Sequence, residues 1–370
     1  MLEFKTVHSG IDSLYLSFKG TLKKEMLKEL EMRKEYAQSE DENEQALAVI
    51  NIDAHLLEVK DRGMGLYVYV LGDNWYQIQI SSGKGRIPPV YVQLKSELLN
   101  CFGIYNAINQ LRGLLKELIE GPAEELISRA DLFVDFVTNA DLGSIKRTQW
   151  VCRAKNTGDY WSGKEFTGLS IGKGGQISAR LYNKTLEIES SFKDFFKPLW
   201  IRNGWDQKQT VWRLEFQLRR EVLNQFSISK LVELTECSND VWRYCTNDWL
   251  RLVDEGEAKN RTRLETHPLW NEIQQVKFGP GNYTGVTRNV SRSRKANMKA
   301  ICLNGLGYIT GYAAEKGHDT VNNKVMFELL TAMKDFLEEY TKDSPKYDGP
   351  EAYIQAKVNL KKKKYNRPLD

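Results

Sequence analysis

Apolar and polar residues alternate at the start of the chain, where Ile11, Leu14, Leu16 and Phe18 are set among polar neighbours in GIDSLYLSFKG; period-two spacing predicts a strand. Residues 21–49 turn to Lys, Glu, Leu and Met, which predicts an exposed amphipathic helix with a charged, mobile stretch at SEDENEQ. Two strand-like runs, GLYVYVLG and NWYQIQISSG, join at Gly72-Asp73-Asn74, a hairpin signal. VYVQLKSELL follows Pro88-Pro89, and leucines and isoleucines at helical spacing over 106–121 predict a helix stopped by Gly121-Pro122.

Further on, ISRADLFVDFV, GGQISARLYNK and TVWRLEFQLRR are strand candidates. LEIESSFKDFF, LNQFSISKLVELTE and VWRYCTNDWLRLVDEG read as helical. Turn-forming residues from Phe278 to Asn282 suggest a domain boundary, dividing a domain over 1–277 from a basic C-terminal region over 278–370. That region carries an apolar patch, ICLNGLGYITGYAA, a helix around VMFELLTAMKDFLEEY and a flexible tail. Irregularly mixed strands and helices predict an α+β fold: a mostly antiparallel central sheet flanked by helices, with a smaller C-terminal helical region.

The three central strands carry the candidate chemistry, because successive side chains of a strand point to opposite faces. Ala130, Leu132, Val134 and Phe136 share one face, and Arg129, Asp131, Phe133 and Asp135 the other. In the second strand Ile177, Ala179 and Leu181 alternate with Ser178, Arg180, Tyr182 and Lys184. In the third, Trp212, Leu214, Phe216 and Leu218 alternate with Arg213, Glu215, Gln217 and Arg219. If the strands share one sheet, their polar faces gather carboxylates, a tyrosine and several cations. Such a cluster needs a metal or arginines to offset the cost of burial. A salt-bridged polar face of purely structural origin would show the same alternation.

Composition narrows the chemistry. Five dispersed cysteines without a CxxC pair argue against a disulfide framework or zinc ribbon, and four scattered histidines form no HxH or HExxH motif. A metal site would therefore be built from oxygen ligands, which suits Mg2+ or Mn2+. No run of eighteen apolar residues occurs and the start lacks a secretory signal, so a cytoplasmic protein is expected. The net charge is only +4, but Arg288, Arg292, Arg294, Lys295 and Lys299 fall in one acid-free stretch and Lys361–Arg367 form another. Such runs bind phosphate backbones or form solvated surfaces, and both readings stay open.

At these residues the sequence resembles the Rep_trans family of rolling-circle replication initiators and the related MobT-type relaxases. The resemblance spans roughly residues 10–275. It rests on GIDSLYLSF, R-x-D-L-x-x-D at Arg129–Asp135, R-L-Y-N-K at Arg180–Lys184, W-R-L-E-F-Q-L-R at Trp212–Arg219 and R-x-x-T-H-P-L-W at Arg263–Trp270. It implies an origin-specific DNA nicking-joining enzyme of plasmids or other mobile genetic elements, acting through a covalent phosphotyrosine. Tyr182 would be the nucleophile, aided by Arg180 and Lys184; Asp131, Glu215 and Asp135 would hold the divalent metal.

A phenol of pKa ~10 needs such help to attack at neutral pH. Arg213, Arg219, Arg288, Arg292, Arg294 and Lys295 would contact DNA, as origin duplex or cruciform and as single strand. Tyr160 and Tyr244 remain alternatives to Tyr182. Lacking a histidine pair, the chain does not fit the HUH nickases. GLSIGKGGQIS fits neither Walker A nor a dinucleotide fingerprint and reads as a hairpin, so unwinding would fall to a host helicase. His267 reads as a packing hook in preference to a catalytic histidine. A homodimer is compatible with this reading. The alternatives are a relaxase mobilising an integrative element, a non-catalytic DNA-binding regulator on the same fold, and an RNA-binding module of stacked aromatics.

Overall fold

The computed structural model describes residues 2–53, 55–82, 87–191, 193–256, 260–279, 298–344 and 347–364. Thirteen strands occur among them: β1 (Phe4–Leu22), β2 (Val49–Ile52), β3 (His55–Val59), β4 (Tyr69–Gly72), β5 (Tyr76–Ile80), β6 (Val90–Leu94), β7 (Ile119–Thr138), β8 (Trp150–Cys152), β9 (Thr157–Ser162), β10 (Glu165–Ile171), β11 (Ile177–Asn183), β12 (Trp212–Arg219) and β13 (Leu250–Leu252). Eleven form one sheet in the order β2-β3-β4-β5-β6-β1-β7-β12-β11-β10-β9, with every pairing antiparallel. The fold is α+β with a large antiparallel sheet and C-terminal helices. The chain divides into two compact units, 1–288 and 289–370.

The alternation read from the three central strands determines how the first unit packs. Leu14, Leu16, Ala130, Leu132, Val134, Leu181, Leu214, Phe216 and Leu218 are all buried on one face within a single apolar core. The helix Ile104–Leu118 covers part of it with Ala107, Ile108, Leu111, Leu114, Leu115 and Leu118, a three- and four-residue spacing that keeps one stripe against the sheet. Each such leucine contributes roughly 1.5–3 kcal/mol on burial.

One end of the opposite face is covered. There the helices Lys184–Ser191 and Phe196–Arg202 bury a second, smaller cluster of Val7, Phe133, Val137, Ile188, Phe196, Trp200, Trp205 and Val211. Phe133 and Val137 of β7 and Val7 of β1 belong to this second layer, which explains apolar side chains on an otherwise polar face.

Several boundaries differ from the sequence pattern. The helix expected up to Gly121-Pro122 ends at Leu118, and β7 runs through both residues. SEDENEQ adjoins the helix Lys24–Gln38 and enters a short helix, Glu42–Ala46, where Ser39 and Glu44 hydrogen-bond at 2.6 Å. VWRYCTNDWLRLVDEG is helical only to Tyr244. After one wider turn, Cys245–Trp249, the chain becomes β13 and pairs with β8, burying Leu250 and Leu252. Lys184 opens a helix instead of closing β11. His267 caps the helix Pro268–Gln274, its Nδ1 accepting from the Leu269 amide at 3.2 Å.

In the second unit, helices span Met298–Glu315, Asn323–Thr341 and Gly349–Lys364, the last covering much of the tail expected to be flexible. Arg288, Arg292, Arg294 and Lys295 lie outside the described residues. Among the described residues, no helix is long and apolar enough to cross a membrane.

Candidate active site

Directly opposed residues of antiparallel strands share a face, so the register fixes which side chains meet. One row crosses the polar face as Tyr160, Gly168, Tyr182, Arg213, Asp135 and His8. The next contains Ser170, Arg180, Glu215 and Phe133, and a third contains Ser178, Gln217, Asp131 and Ser13. Glu215 and Asp131 are thus diagonal neighbours on adjacent strands. Gly168 lets β10 close on the tyrosine strand: a Cβ there would lie 2.9 Å from the Cα and Cβ of Tyr182.

At the open end of the face, Tyr182 donates from its hydroxyl to Glu215 Oε2 at 3.3 Å. Arg180, whose side chain is 53% exposed, donates to Glu215 Oε1. Arg129 holds Asp131 through both carboxylate oxygens, the Nε–Oδ1 distance being 2.8 Å, while its guanidinium lies 4.7 Å from the centre of the Tyr15 ring. Both carboxylates are buried.

Burial pushes the Asp131 carboxyl up to about 7; the charge of Glu215 acts in the same direction, and the Arg129 hydrogen bonds oppose it. Burial and the charge of Glu215 also raise the Tyr182 phenol well above its usual range. The phenol is therefore protonated, oriented and a poor nucleophile as it stands.

The covered end holds a different cluster. Arg213 is fully buried and donates from Nε to Asp135 Oδ1 at 2.6 Å and from Nη2 to Oδ2 at 2.7 Å. Its remaining arm, Nη1, reaches Asp12. Its guanidinium lies 3.7 Å from the centre of the Phe133 ring and 4.4 Å from that of Phe196. Trp200 Nε1 donates to Asp135 Oδ2 at 2.9 Å, and Ser96 donates to Asp12 Oδ1 at 2.8 Å.

Asp12 reaches this cluster because the β1–β7 register shifts between Ile11 and Ser13, an irregularity that lets it leave strict alternation. Burial raises its carboxyl, but Arg213, Lys184, Lys193 and the Ser96 hydrogen bond together outweigh it and hold it at about 2. Lys184 is buried as well, paired with Glu187, and burial together with Arg213 lowers its ammonium to about 8.

The expected site residues therefore separate. Tyr182, Arg180, Asp131 and Glu215 come together. Arg219 is exposed farther along the same face, opposite Arg129. Arg213, expected to touch DNA, does not reach the surface. Asp135, expected as a third metal ligand, has both oxygens taken by Arg213 and Trp200. Lys184 packs beneath the tyrosine, its Nζ 5.6 Å from the centre of the Tyr182 ring.

Among the described residues, no group of three or more His, Cys, Asp or Glu side chains is arranged to hold a metal ion. The donor chemistry fits a divalent cation as a pair only. Magnesium binds through one or two carboxylates and completes its shell with water and phosphate oxygens, and Asp131 with Glu215 offers that set. Sequence reasoning missed Asp12 and Trp200 and gave Arg129 no role. A lone aspartate inside a strand, where that residue is depleted, was the signal for Asp12.

Comparison with known proteins adds little. No family model and no curated protein matches the chain. Among solved structures, a rolling circle replication initiator protein from Geobacillus stearothermophilus is similar, with a TM-score of 0.41 and 16% identity over 76% of this chain and 100% of that one.

Proposed function

We propose that the open end of the sheet face is a DNA nicking-joining site, in which Tyr182 attacks a phosphodiester and retains the 5′ end as a phosphotyrosine. The observation that carries this reading is the Tyr182–Glu215 hydrogen bond beside Asp131, with two half-buried or exposed arginines on the same face. The motif resemblance points to the same residues.

The phenolic oxygen of Tyr182 forms a bond to phosphorus as the bond from phosphorus to the 3′ oxygen breaks. The phenol proton leaves toward Glu215 Oε2, and the departing 3′ oxygen takes up a proton to become a free hydroxyl. Glu215 aims the phenol, while Arg180 and Arg129 face the anionic phosphate oxygens, where charge-assisted hydrogen bonds are strongest. Asp131 and Glu215 would hold a divalent cation, Mg2+ or Mn2+; when bound, it offsets the negative charge that keeps the phenol protonated and polarises the phosphate. Because the phosphodiester energy is kept in the tyrosyl bond, the 3′ hydroxyl can reverse the step and rejoin the strand.

The setting in which this chemistry serves best is initiation of rolling-circle replication at a specific origin; mobilisation of an integrative element would use the same steps. A host helicase and a second copy of the chain would be the protein partners.

The test uses single-stranded fragments covering the flanks of the protein's own gene, incubated with Mg2+ or Mn2+ and resolved under denaturing conditions. The wild-type protein should form a denaturant-resistant adduct that maps to a phosphorylated peptide containing Tyr182. Tyr182→Phe should form none while binding DNA within about twofold of wild type. An adduct formed by that variant would move the nucleophile to another tyrosine, and no adduct from the wild type would sink the reading.

A further inference from the structure

The edge strand β9 presents Tyr160 and Trp161 to opposite faces of the sheet, and both are about half exposed, at 49% and 53%. Tyr160 pairs with Gly168 in the row of Tyr182, whereas Trp161 pairs with Phe166. Phe166 and Gly168 are two residues apart, so regular alternation would place them on one face. The register shift between them turns Phe166 to the other side.

There Phe166 meets Trp161 edge-on at 5.3 Å and stacks on Trp212 at 5.9 Å. These three rings line a hollow of about 480 Å³ whose remaining wall includes Asp141, Ser144, Lys164 and Glu165. Gly143 permits the loop to approach, since a Cβ there would sit 3.1 Å from Phe166 Cβ and 3.7 Å from the Trp161 ring. Asp141 fixes that loop, accepting from the Gly143 amide at 3.0 Å and the Ser144 hydroxyl at 2.8 Å.

An exposed indole beside two further rings, with carboxylate, hydroxyl and ammonium groups at the rim, has the chemistry of a nucleobase site: aromatic faces for stacking and polar groups for the base edge. We infer that this hollow binds an unpaired base of the DNA strand flanking the scissile phosphodiester. The strand would pass from Tyr182 across Gly168 and over the β9 edge. Two strand spacings, ~10 Å, separate β11 from that edge, and rounding the edge to the other face lengthens the path, so the base would lie a few nucleotides from the scissile bond. The cavity shape and ring geometry support this occupant independently of the carboxylates, but its placement on the cleaved strand rests on the nicking reading.

The experiment compares the affinity of the full chain for a thymidine oligonucleotide and for its fully abasic analogue of equal length. Wild type should prefer the base-bearing strand. Trp161→Ala should weaken binding to that strand by about 5- to 150-fold, the range expected for one lost stacking contact. Its affinity for the abasic strand should be unchanged, and Trp161→Phe should recover most of the preference. Equal weakening on both strands, or none on either, overturns the inference while leaving nicking intact. If the wild type binds neither strand, the nicking reading falls with it.

Discussion

The two ends of one sheet face handle buried charge in opposite ways. At the covered end, Asp12, Arg213 and Asp135 form a closed group: two aromatic rings lie against the guanidinium, and Trp200 and Ser96 supply further hydrogen bonds. At the open end, Asp131 and Glu215 each hold an arginine that remains partly in solvent, and Asp131 is pushed toward neutrality. Both ends look alike in sequence, as alternating charged residues on β7 and β12. The difference comes from the helices Lys184–Ser191 and Phe196–Arg202, which seal one end and leave the other available to a ligand. A carboxylate whose partners are complete holds the fold together. One that is desolvated beside a like charge and an exposed arginine is suited to receive a cation or a phosphate.

The largest expected effect tests this division through stability. Arg213→Met should destabilise the first unit by about 3–5 kcal/mol, because it leaves Asp12 and Asp135 buried without a counter-charge. Arg180→Met should cost less, about 1–3 kcal/mol, since Arg180 itself stays half in solvent and the Tyr182 hydroxyl still donates to the buried Glu215 carboxylate. Urea titration of both variants measures the difference. Equal losses would mean that the ends are not distinct.

The sequence made the sheet and the polar face legible, because alternation on β7, β11 and β12 follows directly from side-chain direction. It placed Tyr182, Arg180, Asp131 and Glu215 on one face for the same reason. It did not separate Asp135 from Asp131, four residues away on the same strand. Only the tertiary cover over Phe133 distinguishes them, and that cover comes from residues 184–202, more than forty positions later. Asp12 was hidden by the irregular register of β1, since strict alternation assigns Asp12 and Ser13 to opposite faces. Lys184 and β13 were misread because local composition gave no warning of the change from one element to another.

A second effect, spread over several pH units, uses titration. The Asp131 carboxyl, raised to about 7 by burial and Glu215, binds its proton more tightly in the folded chain than in the unfolded one. Its contribution to stability is therefore full below about pH 4 and is lost as pH rises toward 7. Asp12, held at about 2 chiefly by Arg213 against the effect of burial, has the opposite sign: its contribution is present above about pH 4 and lost as pH falls toward 2. Without added divalent cation, Asp131→Asn should remove a slope of up to ~1.4 kcal/mol per pH unit between pH 4 and 7. Asp12→Asn should alter only the acid side. Chemical denaturation across that range checks both, and an unchanged slope for Asp131→Asn would refute the proposed protonation.

The smallest effect concerns the cation itself. A ligand that binds only the folded chain stabilises it by RT ln(1 + [L]/Kd), about 1.4 kcal/mol at ten times Kd. Magnesium should raise the melting temperature of the wild-type protein by that equivalent, and EDTA should reverse it. The shift should be larger at pH 8 than at pH 6, because below about 7 the Asp131 proton competes for the same oxygens. Asp131→Asn and Glu215→Gln should each lose the shift, whereas Asp135→Asn, less stable from the start, should keep it, since its oxygens already serve Arg213 and Trp200. Differential scanning fluorimetry of the four proteins, with and without magnesium, reads this directly. A shift that survived in Asp131→Asn and Glu215→Gln but vanished in Asp135→Asn would move the cation to the covered end and invert the comparison.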